Sequence, residues 1–284
     1  MPAYLNLGCG GRSHPGWINI DIAARGPGVI RHDLSRGIPL RDASCDVVYH
    51  AAVLEHLRRP DAVALLAECF RVLKPGGVLR VGVPDLEQIC RLYLSRLASA
   101  LAGESAAAAD YDWVMLELCD QAVREKSGGG MAEYLRRSPL PNEPFVLERI
   151  GEEGRELLAA LRAREARRGV TFAGALRRVL RGLRSLPAAA RRLVAGVLLG
   201  ARDRRALEIG RFRLCGEVHQ WMYDRFSLAR LLREAGFHEV LARDAAASRI
   251  PDWGSYHLDT LPDGRVIKPD LFFMEAVKPE GTEA

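Results

Sequence analysis

The sequence lacks the cysteine and hydrophobic patterns that mark several protein classes. Its six cysteines include no C-x-x-C pair and no cluster with histidine, so neither a zinc site nor a disulfide framework is predicted. The longest apolar run, 193–201, is about half as long as the roughly 18 residues that a membrane-spanning helix needs. The first strand-like segment begins almost at once, so no signal peptide is predicted and a cytoplasmic location is expected.

The sequence also lacks two phosphate-binding signatures. No G-x-x-x-x-G-K-[ST] segment is present, which excludes a Walker A loop. In "LNLGCGGRSHPGWINID" the third glycine of a dinucleotide fingerprint is replaced by Ser13, and the first acid, Asp21, follows too early. A ligand with a ribose but no pyrophosphate needs only a close-approach turn and a carboxylate for its diol, without a long helix. S-adenosylmethionine is such a ligand.

Short β-branched runs bounded by Gly, Pro or Asp predict an α/β sheet. Five of them occur in the first ninety residues, at 3–8, 17–22, 28–33, 45–50 and 78–84. Two more, near 238–243 and 271–278, follow a helical pattern at 224–237. Between them the strand rhythm disappears and the chain is rich in Ala, Leu and Arg. We therefore predict a core over 1–98, a helical insertion over 99–213, and a part over 214–284 that completes the sheet.

Four blocks in this order carry a family resemblance: "LNLGCGG", "NIDI", "HDLSRGIPLRDASCDVVYHAAVLEHL" and "ECFRVLKPGGVLRVGVPDL". They resemble the class I S-adenosylmethionine-dependent methyltransferases and look most like the methyltransferase type 11 group, especially a bacterial subgroup often encoded beside glycan-assembly enzymes. The resemblance implies a Rossmann-like sheet, mostly parallel with an antiparallel last strand. It also implies S-adenosylmethionine as the cofactor and S-adenosylhomocysteine as the product. The carboxylate and histidine pattern of a metal-dependent catechol-type enzyme is not evident, so no metal is expected.

The resemblance places the methionine and ribose parts of the cofactor at the glycine loop. Gly8 and Gly10 match the residues that turn under the methionine, and Asp21 matches the acid that takes both ribose hydroxyls. Asn6 stands where many relatives carry an acid. We expect it to hold the methionine ammonium through a water molecule.

The resemblance also assigns residues to the two ends of the cofactor. Asp33, with the backbone of Leu34, matches the pair that reads the edge of the adenine. Tyr49 and His50, at the end of the fourth predicted strand, match residues that line the methyl-donor end. These positions belong to one edge of the predicted sheet.

Methyl transfer to a hydroxyl or an amine requires a group that receives the acceptor proton. A base with a pKa near neutrality suits this step, which favours histidine. His56 in "VLEHL" and His219 in "HQWMYD" are therefore candidate catalytic residues. Asp85 in "VPDL" is a third candidate, although its Pro-Asp context equally suits a helix N-cap.

Three aromatic residues are candidates for contact with the acceptor: Tyr93, Trp221 and Tyr223. Trp221 and Tyr223 suit stacking on a sugar ring as well as they suit a protein core. We expect a small or lipid-linked saccharide hydroxyl as the acceptor. A quinone or polyketide ring, or a non-catalytic accessory role in a glycan assembly complex, are the alternatives. Motifs used on nucleobase amines or on cytosine are absent, which disfavours nucleic acid.

The positive charge of the chain is concentrated in one segment. The formal net charge is +5, and residues 169–205 contain nine arginines against one acidic residue, Asp203. Apolar residues at helical spacing predict two basic amphipathic helices there. They suit a lid, an anionic membrane surface on the cytoplasmic side or, less well, nucleic acid phosphates. We expect the insertion to cover the cofactor cleft, and the sequence leaves the oligomeric state open.

Overall fold

The fold is an α/β structure built on one seven-stranded sheet. A computed structural model describes residues 3–24, 26–166 and 200–280, and residues 169–199 of the predicted basic helices lie outside these ranges. The strands are β1 Tyr4–Leu7, β2 Ile18–Asp21, β3 Val29–Arg31, β4 Cys45–Ala51, β5 Leu73–Pro84, β6 His238–Arg243 and β7 Leu271–Val277.

The sheet has the order β3-β2-β1-β4-β5-β7-β6. The first five strands pair in parallel, whereas β7 runs antiparallel to both β5 and β6. The prediction of a mostly parallel sheet with an antiparallel last strand is thereby confirmed. Open parallel sheets bind their ligands beyond the carboxyl ends of the strands, where the order reverses, and here that point lies between β1 and β4.

Helices lie between and beyond the strands. In the described residues they are α1 Arg59–Val72, α2 Leu86–Leu101, α3 Ala107–Met115, α4 Gln121–Val123, α5 Gly129–Leu135, α6 Glu143–Ala166, α7 Ala201–Arg213 and α8 Arg225–Glu234. A π-helical turn, Leu116–Asp120, joins α3 to α4. Among these described helices, none is long and apolar enough to cross a membrane.

Helix starts follow local chemistry that is visible in the sequence. The Asp85 side chain accepts a hydrogen bond from Gln88 N at the start of α2. At the start of α8, Asp224 and Ser227 exchange side-chain and backbone hydrogen bonds in a capping box. These caps satisfy N–H groups that a helix leaves unpaired.

Within the described chain, no helix separates β1 from β2. An aromatic cluster covers this part of the sheet: Trp17, just before β2, and Tyr49 of β4 meet Trp253 and Tyr256 from the loop between β6 and β7. Helix α6 of the insertion reaches the glycine loop through the ion pair of Glu156 with Arg12 at 3.5 Å. That the insertion covers the cofactor cleft stays a prediction.

The insertion helices pack around a small core of their own, with Trp113, Tyr134 and Val146 at its centre. Helix α6 is kinked at Gly151, whose φ is 58°. A Cβ on Gly151 would lie 2.4 Å from the carbonyl oxygen of Ile267, so only glycine permits this approach. The kink fixes α6 against the residues that precede β7.

Candidate functional site

The glycine loop is held by hydrogen bonds to β2. Gly8 N donates to Ile20 O at 2.8 Å. Gly10 N donates to Asp21 Oδ2 at 2.9 Å, and Ala23 N donates to Asp21 Oδ1 at 2.6 Å. Asp21 thus closes the loop from the end of the neighbouring strand. Its early position in the sequence follows from the missing helix.

Gly8 and Gly10 both have positive φ, 63° and 54°, but only Gly8 is crowded. A Cβ on Gly8 would lie 2.4 Å from Val53 Cγ2, whereas a Cβ on Gly10 would meet nothing within 4 Å. We expect Gly10→Ala to lower the free energy of unfolding by about 1 kcal/mol through its backbone alone. Gly8→Ala should cost about 1–2 kcal/mol more, because it also overpacks the loop.

Urea titration of the variants measures this difference. Val53→Ala, made in the Gly8→Ala background, should remove most of the extra cost, because it deletes the clashing methyl groups. Equal losses for Gly8→Ala and Gly10→Ala would show that the contact with Val53 does not constrain the loop.

Asn6 positions the glycine loop from inside the sheet. Its Nδ2 donates to Arg12 O at 2.9 Å and to Asn19 Oδ1 at 3.1 Å. Its Oδ1 is buried and has no hydrogen-bond partner in the described structure. The amide therefore ties the loop to β2 and keeps one acceptor free.

Asp33 and Leu34 lie at the carboxyl end of β3, on the same edge of the sheet as Asp21. Asp33 caps a short 3-10 turn, Leu34–Arg36, by accepting a hydrogen bond from Ser35 N at 3.0 Å. These hydrogen bonds lower the pKa of the exposed Asp33 carboxyl. The pair borders neither of the two cavities described next.

A cavity of about 560 Å³ lies beside the glycine loop, and we call it the loop cavity. Its walls include Gly8, Gly10, Tyr49, Asp259 and Lys268. Tyr49 donates to Asp259 Oδ1 at 2.6 Å. The volume lies within the range of small-molecule sites.

His50 does not share this cavity with Tyr49. Successive side chains of a strand face opposite sides of the sheet. Tyr49 packs in the aromatic cluster, whereas the His50 ring is fully buried and both its nitrogens lack partners among the described residues. Burial lowers the pKa of His50 to about 4. The two residues therefore cannot both line the methyl-donor end as expected.

A second cavity of about 360 Å³ adjoins the first, and we call it the inner cavity. Four residues line both cavities: Ala52, Glu153, Lys268 and Leu271. Ala52 follows β4 with a φ of 54°, a conformation that is costly for a residue with a side chain. Lys268 pairs with Glu153 of α6 at 2.7 Å.

His56 and His219 meet at the inner cavity, as part of a cluster with Glu55. Their rings are edge to face, with centroids 4.8 Å apart. His219 N donates to Gln121 O at 3.0 Å, and Gln220 N donates to Glu55 O at 2.7 Å. These backbone bonds hold the His219 segment between the insertion and the 3-10 turn Leu54–His56. Two of the three candidate catalytic residues are thus brought together.

The protonation of the cluster is set by burial. Burial raises the pKa of Glu55 to about 8. Burial, followed by the neighbouring His56, lowers the pKa of His219 to about 3. Burial also lowers the pKa of His56. The cluster therefore presents uncharged imidazoles to the inner cavity near neutral pH.

The remaining candidates lie outside the walls of both cavities. Asp85 caps α2 and pairs with Arg225 at 2.9 Å, which engages both of its oxygens. Tyr223 is 2% exposed and belongs to the main core. Trp221 is 41% exposed and stacks with Arg59, and Tyr93 contacts Tyr111 on α3.

Three residues of the site were missed by sequence reasoning: Glu55, Lys268 and Asp259. Glu55 directly precedes the candidate residue His56 in "VLEHL", and this proximity could have indicated that Glu55 belongs to the site. Lys268 and Asp259 fall in the loop before β7, where no motif marks them. Their roles arise only when β7 pairs with β5.

Comparison with known proteins finds similarity in the N-terminal part of the sheet. Residues 18–81 match the methyltransferase domain family. A 65-residue segment is 49% identical to a probable S-adenosylmethionine-dependent methyltransferase of Mycolicibacterium smegmatis, covering 22% of this chain and 24% of that protein. The match thus spans about a quarter of the curated relative. Together these matches show that this part of the chain is similar to S-adenosylmethionine-dependent methyltransferases.

Two of the solved structures that match the chain are named S-adenosylmethionine-dependent methyltransferases. One from Thermotoga maritima, an S-adenosylmethionine-dependent methyltransferase, is 13% identical over 98% of this chain and 83% of that chain, with a TM-score of 0.38. Another from Archaeoglobus fulgidus is 21% identical over 33% of this chain and 51% of that chain, with a TM-score of 0.27.

Proposed function

We propose that the protein transfers a methyl group from S-adenosylmethionine to a hydroxyl of a saccharide, free or lipid-linked. The observation that carries the proposal is the wall shared by the loop cavity and the inner cavity. Methyl transfer requires the sulfonium, the methyl carbon and the acceptor oxygen to lie in line at short range. The two cavities adjoin beyond the carboxyl ends of the strands, near the point where the strand order reverses. This arrangement suits the methyl donor in one cavity and the methyl acceptor in the other.

The glycine loop fits the cofactor. Added Cβ atoms at Gly10 and Gly11 would meet nothing within 4 Å, so the loop has an open side. Each Asp21 oxygen accepts one backbone N–H, and an ionised carboxylate oxygen keeps a further lone pair for a ribose hydroxyl. The unpartnered Asn6 Oδ1 suits the methionine ammonium. We assign Tyr49 to the methionine end.

Asp33 and Leu34 complete the proposed cofactor site. They lie at the end of β3, one strand beyond Asp21, which suits the adenine that follows the ribose. The exposed Asp33 carboxylate accepts hydrogen bonds, as an adenine amino group requires. We leave His50 out of the site because it faces the other side of the sheet.

The inner cavity suits an amphiphilic acceptor. Its polar side is the cluster of Glu55, His56 and His219, and its apolar side comes from insertion residues such as Trp113 and Leu135. A sugar hydroxyl would meet the polar side, and a lipid carrier would meet the apolar side. The same apolar wall favours a quinone or polyketide ring as the second candidate. Membrane attachment through 169–205 belongs to the proposal for a lipid-linked acceptor.

The proposed reaction forms a C–O bond to the acceptor as the C–S bond of the sulfonium breaks. The acceptor proton passes to an uncharged imidazole of the cluster, His56 or His219, both of which line the cavity. S-adenosylhomocysteine and the methyl ether are the products. We do not assign this proton to Asp85, since both its oxygens are engaged by Gln88 and Arg225.

Asp21 provides the direct test of cofactor binding. We expect Asp21→Ala to weaken binding of S-adenosylhomocysteine by about ten- to a hundredfold, because hydrogen bonds to a charged group are worth roughly 1.5–3 kcal/mol. Isothermal titration calorimetry measures the affinity. Asp61→Ala is the matched control, because Asp61 lies on α1 and pairs only with Arg58 among the described residues.

The outcomes separate the competing functions. A protein that does not bind S-adenosylhomocysteine would overturn the proposal. A protein that binds S-adenosylhomocysteine, but forms none from S-adenosylmethionine when saccharide or ring acceptors are added, would favour the accessory role. Turnover with a ring and not with a saccharide would favour the second candidate.

A further inference from the structure

The cluster of Glu55, His56 and His219 has the geometry of a metal site. Each of the three residues offers one ligand atom, and these atoms all lie within 4.8 Å of one another. Zinc-type ions bind imidazole nitrogen and carboxylate oxygen at about 2 Å, so a closure of about 1 Å would place one ion in contact with all three. Two imidazoles and a carboxylate form a donor set suited to such ions.

The ligand atoms are also unsatisfied. Both carboxylate oxygens of Glu55 and the Nδ1 atoms of His56 and His219 are buried without a hydrogen-bond partner in the described part of the chain. Glu55 is 1% exposed and His219 is 5% exposed, so bulk water does not supply hydrogen bonds to these groups. A buried polar group left unpaired costs about 1–3 kcal/mol. These unpartnered atoms belong to three residues that can each bring one ligand atom within 4.8 Å of the other two, which indicates a missing partner that accepts lone pairs.

The surrounding charges leave room for a cation. Lys268 is paired with Glu153 at 2.7 Å. Arg124 is paired with Asp120 at 2.9 Å and with Glu217 at 3.2 Å. Each nearby cation is thus neutralised by its own carboxylate, and Glu55 has no ion-pair partner among the described residues.

We propose that Glu55, His56 and His219 bind a divalent transition-metal ion at the inner cavity. Three protein ligands leave at least one coordination position open, and the cavity lies on that side. The ligand class for the open position is an oxygen donor, such as water or a hydroxyl. For acceptor chemistry the inference rests on the proposed function and changes one role in it: with an ion bound, the two histidines would be ligands instead of the proton acceptor, and a hydroxyl on the ion would lose its proton more readily, to water.

Cobalt(II) titration of the untagged, chelator-stripped protein tests the site. Co²⁺ bound by two imidazoles and a carboxylate gives visible d–d absorption, and we expect one ion per chain that Zn²⁺ displaces. His56→Ala, His219→Ala and Glu55→Gln should each weaken Co²⁺ binding at least about tenfold. His238→Ala is the matched control, because that exposed histidine lies on β6 outside the cavity. It should leave Co²⁺ binding unchanged.

Two further measurements keep the outcome decisive. X-ray absorption of the Co²⁺-loaded parent protein should show imidazole scattering, and its absence would overturn the site even if the variants fail to fold. Binding of S-adenosylhomocysteine by each variant reports the fold and the proposed function separately. Co²⁺ affinity that is absent in the parent, or unchanged in the three variants, would overturn the metal site while leaving cofactor binding intact.

Discussion

Arg80→Ala should lower the free energy of unfolding by about 3–5 kcal/mol, because it removes a fully buried cation from a buried ion network. Arg80 is fully buried and donates to Asp259 at 3.0 Å and to Glu275 at 2.9 Å. Its guanidinium also lies over the rings of Trp253 and Phe273. Removal would leave two carboxylates buried, one of which holds Tyr49 at the loop cavity.

Urea denaturation measures this loss, and Arg243→Ala is the matched control. Arg243 pairs with the same Glu275 at 3.3 Å, but its side chain is 29% exposed. Partly exposed pairs contribute less than about 1 kcal/mol. Similar losses for the two variants would show that burial of Arg80 does not set the strength of the network. Arg80→Lys should fall between them, because it keeps the charge without the planar fork.

The strands were predictable because their signals are local. The run at 45–50 became β4 Cys45–Ala51, and the run at 271–278 became β7 Leu271–Val277. The helical pattern at 224–237 became α8 Arg225–Glu234. Each of these elements depends on residues within a few positions, which a sequence displays directly.

The ion network and the polar cluster were not predictable, because their partners are distant in sequence. Arg80 meets Asp259 across 179 positions and Glu275 across 195. Glu55 is an acid that a sequence reader would place at the surface, since glutamate is rarely buried unpaired. Its burial follows from the His219 segment folding over it, which depends on the whole topology. Short-range sequence patterns therefore did not predict the residues that come together at the candidate site.

His50 predicts a large pH effect on stability. Burial lowers its pKa from 6.5 to about 4 in the folded protein. Between these pH values His50 is protonated in the unfolded chain but neutral in the folded chain. The stability contributed by neutral His50 is therefore lost as the pH falls from about 6.5 towards 4. The gap of about 2.5 pK units corresponds to roughly 3 kcal/mol.

His50→Leu isolates this effect, because it replaces a buried ring with an apolar side chain of similar size. At about pH 7 the variant should match or exceed the parent in stability, since two unpartnered nitrogens disappear. Near pH 4 its advantage should grow by roughly 3 kcal/mol in urea denaturation. Other buried groups titrate in this range, so the difference between variant and parent is the quantity to follow. A difference that stays constant with pH would contradict the prediction, because it would mean that the His50 ring has the same pKa in the folded and the unfolded chain. His238→Leu, which removes an exposed histidine from β6, provides the comparison.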